Sequence, residues 1–302
     1  MTTLAWMSEY GVGPPFDRPV TGLIKLLTPE WIEQQYRQPP KRRHLLVRWL
    51  GEMMASAKRA AEGAGPTAMI TGPVSGAVWE VLALAVDADV AQRATLLPPW
   101  VVERLKNPSE YQGARYEIAA AAIVSRAGLP ISWHPPSEAG PEFWAVVPGT
   151  GERIAVEAKS RHRDGTLHEP GLQDRATYLA DVEGLLRSAK RKEVQDRPLI
   201  IFIDLNLEDR PDVGAEPAWM PQVRRLVSRY DRSTRAASFA MLVCTNYAFH
   251  YAGVTLIKDR PGSDSYVPTR SRRPLRSPGL RDRIHASLKD YGVPISPHLG
   301  RG

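Results

Sequence analysis

Residues 140–161 read GPEFWAVVPGTGERIAVEAKSR, two apolar runs joined by a Pro-Gly-Thr-Gly turn. The runs are rich in Val, Phe, Trp and Ile and are bounded by Gly and Pro, which predicts two short strands in a hairpin. Glu142 opens the first strand directly after Pro141, and the second strand carries Glu157 and Lys159. Side chains alternate across a strand, so Ile154, Val156 and Ala158 share one side while Ala155, Glu157 and Lys159 share the other. An acid and a lysine therefore stand side by side on a strand that otherwise reads as buried. A tight hairpin brings Glu142 next to them. Carboxylates converging on a strand edge make a hard oxygen site suited to Mg²⁺ or Mn²⁺. A lysine beside such an ion orients or helps deprotonate a water and stabilises charge on a phosphate. The plainer alternatives are a charge pair on a water-facing side of the sheet, worth little to stability, and a solvated Glu142 at a strand start.

Upstream, NPSEYQGARYEIAAAAIVSRAGL predicts a helix over 109–127 stopped by Gly128 at a C-cap, and PISWH predicts a short strand. Downstream, LQDRATYLADVEGLLRSAKRKEV returns to helical periodicity, and RPLIIFIDLNL is a continuous apolar run of the kind a central, doubly covered strand shows. EPAWMPQVRRLVSRYD reads as another helix, and SFAMLVCTNY and GVTLI as further strands. The order α-β-β-β-α-β-α-β predicts an α/β fold, a mixed sheet flanked by helices. Residues 1–97 have a different texture. Their Gly- and Pro-rich opening reads as irregular. Thr28 is placed to cap a helix starting at Pro29, and Leu45, Trp49, Met53 and Ala57 fall on one helical stripe. VSGAVWEVLALAVDADV reads as a buried helix. Three segments result: a helical N-terminal region over 1–97, the α/β core over 98–260, and a Pro/Arg-rich segment over 261–302 with a short helix.

These residues resemble the PD-(D/E)XK nuclease superfamily, the restriction-endonuclease-like fold. Pro141-Glu142, Glu157-Ala158-Lys159 and Glu117 on the upstream helix carry the likeness, and the αβββαβ order around them extends it over about 105–260. The resemblance implies a restriction-endonuclease-like mixed sheet with Mg²⁺ or Mn²⁺ bound by Glu142 and Glu157. It implies that Lys159 assists the attacking water and that Glu117 completes the metal site. The implied activity is phosphodiester hydrolysis, in DNA before RNA and by endonuclease before exonuclease action, in restriction, phage defence or repair. The first acid of the family is usually Asp, and here it is Glu142. That departure leaves room for a non-cleaving nucleic-acid-binding or assembly protein that keeps the fold. Gln173 and Tyr178 are spaced five apart, one more than the glutamine–tyrosine helix motif of the exonuclease branch. Glu117 shares a stripe with Ala120, Ala121 and Val124 and so aims inward. A buried carboxylate needs a partner or a metal, and Arg115 or Lys159 serves that need as well as an ion does.

The formal net charge of +7 favours an anionic partner, nucleic acid first. Arg161, His162 and Arg163 follow the triplet directly, and Lys190 and Arg191 end the next helix; these are the expected phosphate contacts. The bland reading of that helix end is a solvated turn whose cations suit the helix dipole. Residues 261–283 combine prolines with six arginines, the composition of a basic arm; packing of the same segment on the core is the alternative. The N-terminal helical region is a natural surface for a homo-oligomer or a partner protein. Cys244 is the single cysteine, so the sequence offers no internal disulfide and no thiolate cage. The seven histidines show no zinc-ligand spacing, and no phosphate-binding GxxxxGK motif occurs. The N-terminal stretch lacks a basic segment followed by an apolar one, and no apolar run is long enough for a membrane span. A cytoplasmic protein without membrane partners is expected.

Overall fold

The hairpin forms in the register the sequence demands. In the computed structural model, which describes residues 16–64, 74–162, 178–192, 196–207, 215–249 and 262–294, strand β2 (Phe143–Val146) pairs antiparallel with β3 (Arg153–Ser160), Phe143 opposite Val156. The turn between them uses Gly149 and Gly151 at φ 85° and 69°, left-handed values that a side chain resists. β1 (Ile131–Trp133) adds to β2 antiparallel, while β4 (Leu199–Asp204) and β5 (Met241–Thr245) continue from β3 in parallel. β6 (Ser263–Tyr266) closes the sheet antiparallel to β5, giving the spatial order β1-β2-β3-β4-β5-β6. β4 lies in the middle with all six residues buried, as its unbroken apolar run predicts.

Nine α-helices flank this mixed sheet among the described residues. Before it come α1 (Asp17–Leu27), α2 (Pro29–Tyr36), α3 (Leu45–Ala64), α4 (Gly76–Ala94), α5 (Pro99–Lys106) and α6 (Tyr111–Arg126). Within it lie α7 (Tyr178–Lys190), the crossover from β3 to β4, and α8 (Trp219–Arg232); α9 (Leu280–Lys289) follows it. The order α6-β1-β2-β3-α7-β4 is the αβββαβ order expected. Thr28 caps α2 by accepting from the Trp31 amide at 3.4 Å, and Gly128 ends α6 at φ 81° with its amide on the Ser125 carbonyl. The predicted strand GVTLI lies outside the described residues. No helix among the described residues is long and apolar enough to cross a membrane.

Two apolar layers hold the sheet. Ile154, Val156 and Ala158 of β3 face α6, whose Ala119, Ala120, Ala121 and Ala122 are fully buried and let the helix backbone approach closely. Ala155 faces the opposite layer, with Val182 and Leu186 of α7 and Val223 and Leu226 of α8. The alternation read from the sequence is therefore real. The segment boundaries are less so. Leu46, Trp49 and Met53 of α3, Val81 and Leu84 of α4, and Leu280, Ile284 and Leu288 of α9 all join the cluster that includes α6 and the sheet. Residues on both sides of position 97 thus share one core.

The Pro/Arg-rich segment takes the second of its two expected forms. It packs on the core, anchored mainly by its backbone. β6 completes the sheet edge, the Arg272 amide donates to the Ala237 carbonyl at 2.8 Å, and the Arg276 and Ser277 amides donate to the Glu152 carboxylate. Composition argued against order because few apolar side chains are available there; main-chain hydrogen bonds supply the anchoring instead. The side chains of Arg270, Arg272, Arg273 and Arg276 are displayed on the outside, Arg273 in a 2.9 Å pair with Asp196.

Candidate active site

Continuing the β2–β3 register by one residue sets Glu142 opposite Glu157, and the Glu142 amide donates to the Val156 carbonyl at 3.0 Å. Opposed residues of an antiparallel pair project to the same side of the sheet, so the two carboxylates meet there with Lys159. The Lys159 ammonium lies 3.0 Å from Glu142 Oε1 and 2.6 Å from Glu157 Oε1. Burial alone lowers the affinity of Lys159 for its proton, but Glu157 and Glu142 outweigh it and hold the amine protonated beyond the ordinary lysine range. Glu157 has no solvent exposure. Neither of its oxygens finds a well-aligned hydrogen bond, the Lys159 contact being one of charge and proximity. Burial raises its carboxyl above the usual range, and Lys159 pulls it partly back.

Glu117, on α6, is nearly buried and is gripped by a residue the sequence reading missed. Arg104 on α5 donates Nη1 to Oε2 at 2.7 Å and Nη2 to Oε1 at 2.8 Å, a two-pronged clamp. The Glu117 carboxyl is pushed up to about 7 by burial first and by Glu142 second, against the pull of Arg104 and Lys159. Glu117 is therefore close enough to feel both β-strand partners. It answers to Arg104, and neither Arg115 nor Lys159 is the partner. Arg115 pairs elsewhere, with Glu80 and Asp87 of α4 at 3.0 Å each. The Pro98-Pro99 pair marks the start of α5, but no local pattern signals that its Arg104 reaches Glu117.

The three acids do not gather as one ligand set. Among the described residues no group of three or more His, Cys, Asp or Glu is placed to hold a metal ion. Glu142 and Glu157 share one ammonium, and Glu117 stays with Arg104. The residues present still fit a divalent ion of the Mg²⁺ type, which takes one or two protein carboxylates and completes its shell with water and substrate phosphate. The observation behind that fit is Glu157, a buried carboxylate without an aligned donor.

The expected phosphate contacts divide. Arg161 is buried and bonds Asp181 at 2.6 Å, with its amide on the Asp204 carbonyl, so it ties β3 to α7 and the end of β4 rather than facing solvent. His162 is exposed. Arg163 lies outside the described residues. Lys190 donates to Tyr230 Oη at 3.1 Å and sits over that ring, while Arg191 and Lys192 are exposed.

Compared with protein-family models, curated proteins and solved structures, the chain matches none.

A pH dependence follows from the buried acids. Glu117 is pushed up to about 7, and Asp87 and Asp204 to about 6, in each case by burial first. The folded chain then holds protons that the unfolded chain has released above roughly pH 4 to 5. The stability they lend is complete below that range and is lost as pH rises through 6 and 7. Urea unfolding midpoints are expected to fall from pH 5 to pH 8, and Glu117→Gln to flatten the upper half of the decline. A midpoint that climbs over this window contradicts the placement of these acids.

Proposed function

We propose that the chain is a divalent-metal-dependent nuclease that hydrolyses phosphodiester bonds, with DNA before RNA as substrate and endonuclease before exonuclease action. The observation that carries this reading is the Lys159 ammonium between Glu142 and Glu157, at the meeting of β2 and β3 within an αβββαβ core. A restriction-endonuclease-like fold agrees with that element order. Glu142 and Glu157 would hold Mg²⁺ or Mn²⁺, with Glu117 beside them. A bound divalent ion supplies Lewis acidity toward water and toward a phosphoryl oxygen. Lys159 has a narrower part than general base, because the two acids keep it protonated. It donates a hydrogen bond to the attacking water or to a phosphate oxygen, and its charge stabilises the transition state. Arg104 holds Glu117 in place. His162 and Arg191 offer phosphate contacts.

The deciding experiment incubates the protein with plasmid, linear and single-stranded DNA and with RNA, with and without Mg²⁺ or Mn²⁺. Cleavage is expected only with metal and only while Lys159 is present. Metal-independent cutting, or full activity in Lys159→Ala, overturns the mechanism.

A second reading rests on the separation of the acids and on Glu142 in place of Asp. It describes a nucleic-acid-binding or assembly protein that keeps the fold without cleaving. Salt-sensitive DNA binding with no cutting under either metal selects it.

A further inference from the structure

At the carboxyl ends of the three parallel strands lies a pocket of about 30 Å³ whose wall includes Ser160, Asp204 and Tyr247. Open α/β sheets bind ligands in this place. Ser160 directly follows Lys159 on β3, and its side chain projects to the α6 side of the sheet, opposite Lys159. Three of its polar atoms are unusual. Tyr111 Oη, Asn206 Oδ1 and Tyr247 Oη have no hydrogen-bond partner, although these residues are only 2%, 2% and 5% exposed. A buried hydroxyl or amide oxygen left unbonded is costly, and three around one hollow point to a missing polar guest. The volume admits water-sized groups, not a whole ring.

The charges select the guest. Glu80 and Asp204 line the pocket, and the one cation there, Arg115, is engaged through its three nitrogens with Glu80, Asp87 and Tyr291. An anion or a carbonyl oxygen meets carboxylates; an amino group meets acceptors. Asn206 Oδ1 accepts an N–H, and the two phenols can bond to a ring nitrogen or oxygen beside it. We propose that this pocket receives the exocyclic amino edge of a nucleobase. The proposal rests on reading the chain as a nucleic-acid binder, and it does not require cleavage. A chain with a net charge of +7 attracts a polyanion over a lysine-rich peptide, the other carrier of amino groups.

Fluorescence anisotropy in EDTA with labelled oligo(dC) and oligo(dU) tests it, since the two bases differ by an amino against an oxo group at C4. Wild type is expected to bind oligo(dC) roughly tenfold more tightly. The Asn206→Leu variant, which removes the amide oxygen that accepts the amino N–H, is expected to bring the ratio close to one. Tyr111→Phe/Tyr247→Phe is expected to weaken both oligomers, with a thermal midpoint equal to or above wild type because only unbonded hydroxyls are removed. The double tyrosine variant carries the test if Asn206→Leu does not melt cooperatively: unchanged affinity for both oligomers then overturns the proposal. Equal binding of the two oligomers by wild type, or a ratio unchanged in Asn206→Leu, overturns the proposal and leaves a water-filled pocket. Hydroxyl-dependent binding of a tetralysine peptide overturns it as well. Cutting assays with metal report on the nuclease reading separately: a chain that never cuts but keeps the oligo(dC) preference loses that reading and retains this one.

Discussion

If the proposed cleavage is right, Lys159→Met is expected to lower its rate by about 10²- to 10³-fold, the cost of losing one donor aimed at transition-state charge. The same change destabilises the fold. Glu157 is without solvent exposure and has Lys159 as its closest charge, at 2.6 Å. Removing one side of a buried pair costs about 3 kcal/mol, toward the low end because Lys159 keeps some contact with solvent. Glu157 responds by taking up a proton more readily, so the deficit shrinks as pH falls. A divalent ion meets no competing ammonium in the variant. Added Mn²⁺ is therefore expected to raise the melting temperature of Lys159→Met more than that of wild type, as linkage requires for a ligand that binds the folded state. Single-turnover cleavage and thermal melts with and without Mn²⁺ measure both effects. An unchanged rate together with an unchanged melt removes Lys159 from the site.

The largest loss of stability is expected at Arg115→Met. Arg115 is buried, bonds Glu80 and Asp87 of the preceding helix α4, reaches the Tyr291 hydroxyl after α9, and lies over that tyrosine ring at 5.6 Å. Two buried acids lose their counter-charge at once, which costs about 3–5 kcal/mol at neutral pH. Glu80→Gln/Asp87→Asn/Arg115→Met is expected to regain much of it, since neutral groups need no counter-ion. Urea unfolding of the single and triple variants separates the cost of a stranded charge from the loss of packing. A deficit below about 1 kcal/mol for the single variant, the size typical of an exposed pair, contradicts the buried network.

Strands β1 to β5, and the helices over 29–36 and 111–126, were legible because their signals are local. Alternation marked β3, an unbroken apolar run marked β4, and Gly128 marked the end of α6. Glu142, Glu157 and Lys159 were legible for a related reason: a hairpin fixes its own register, so sequence distance becomes spatial distance. Arg104 was not. Its partner Glu117 lies on the next helix, and the angle between α5 and α6 is set by packing that no local pattern encodes. The pairing of Arg115 with α4 was missed on the same ground, while Arg161 looked like a surface cation because Asp181 lies 20 residues on, in the first turn of the crossover helix α7. β6 escaped for a different reason. SDSY has little strand propensity, and the unpaired edge of β5 dictates its conformation.

The contact between Arg115 and Tyr291 spans 176 residues, and α9 fills the same apolar cluster as α1 and α3. During synthesis the early helices must therefore wait. Until residue 291 has been made, Leu280, Ile284 and Leu288 are missing from the core and Arg115 lacks one of its three partners. Contacts of such long sequence separation slow folding, and nascent chains exposing unfinished apolar surface depend on holding factors in the interval. The strands packed on this cluster are thereby kept from maturing early: the core closes only once residue 291 has been made.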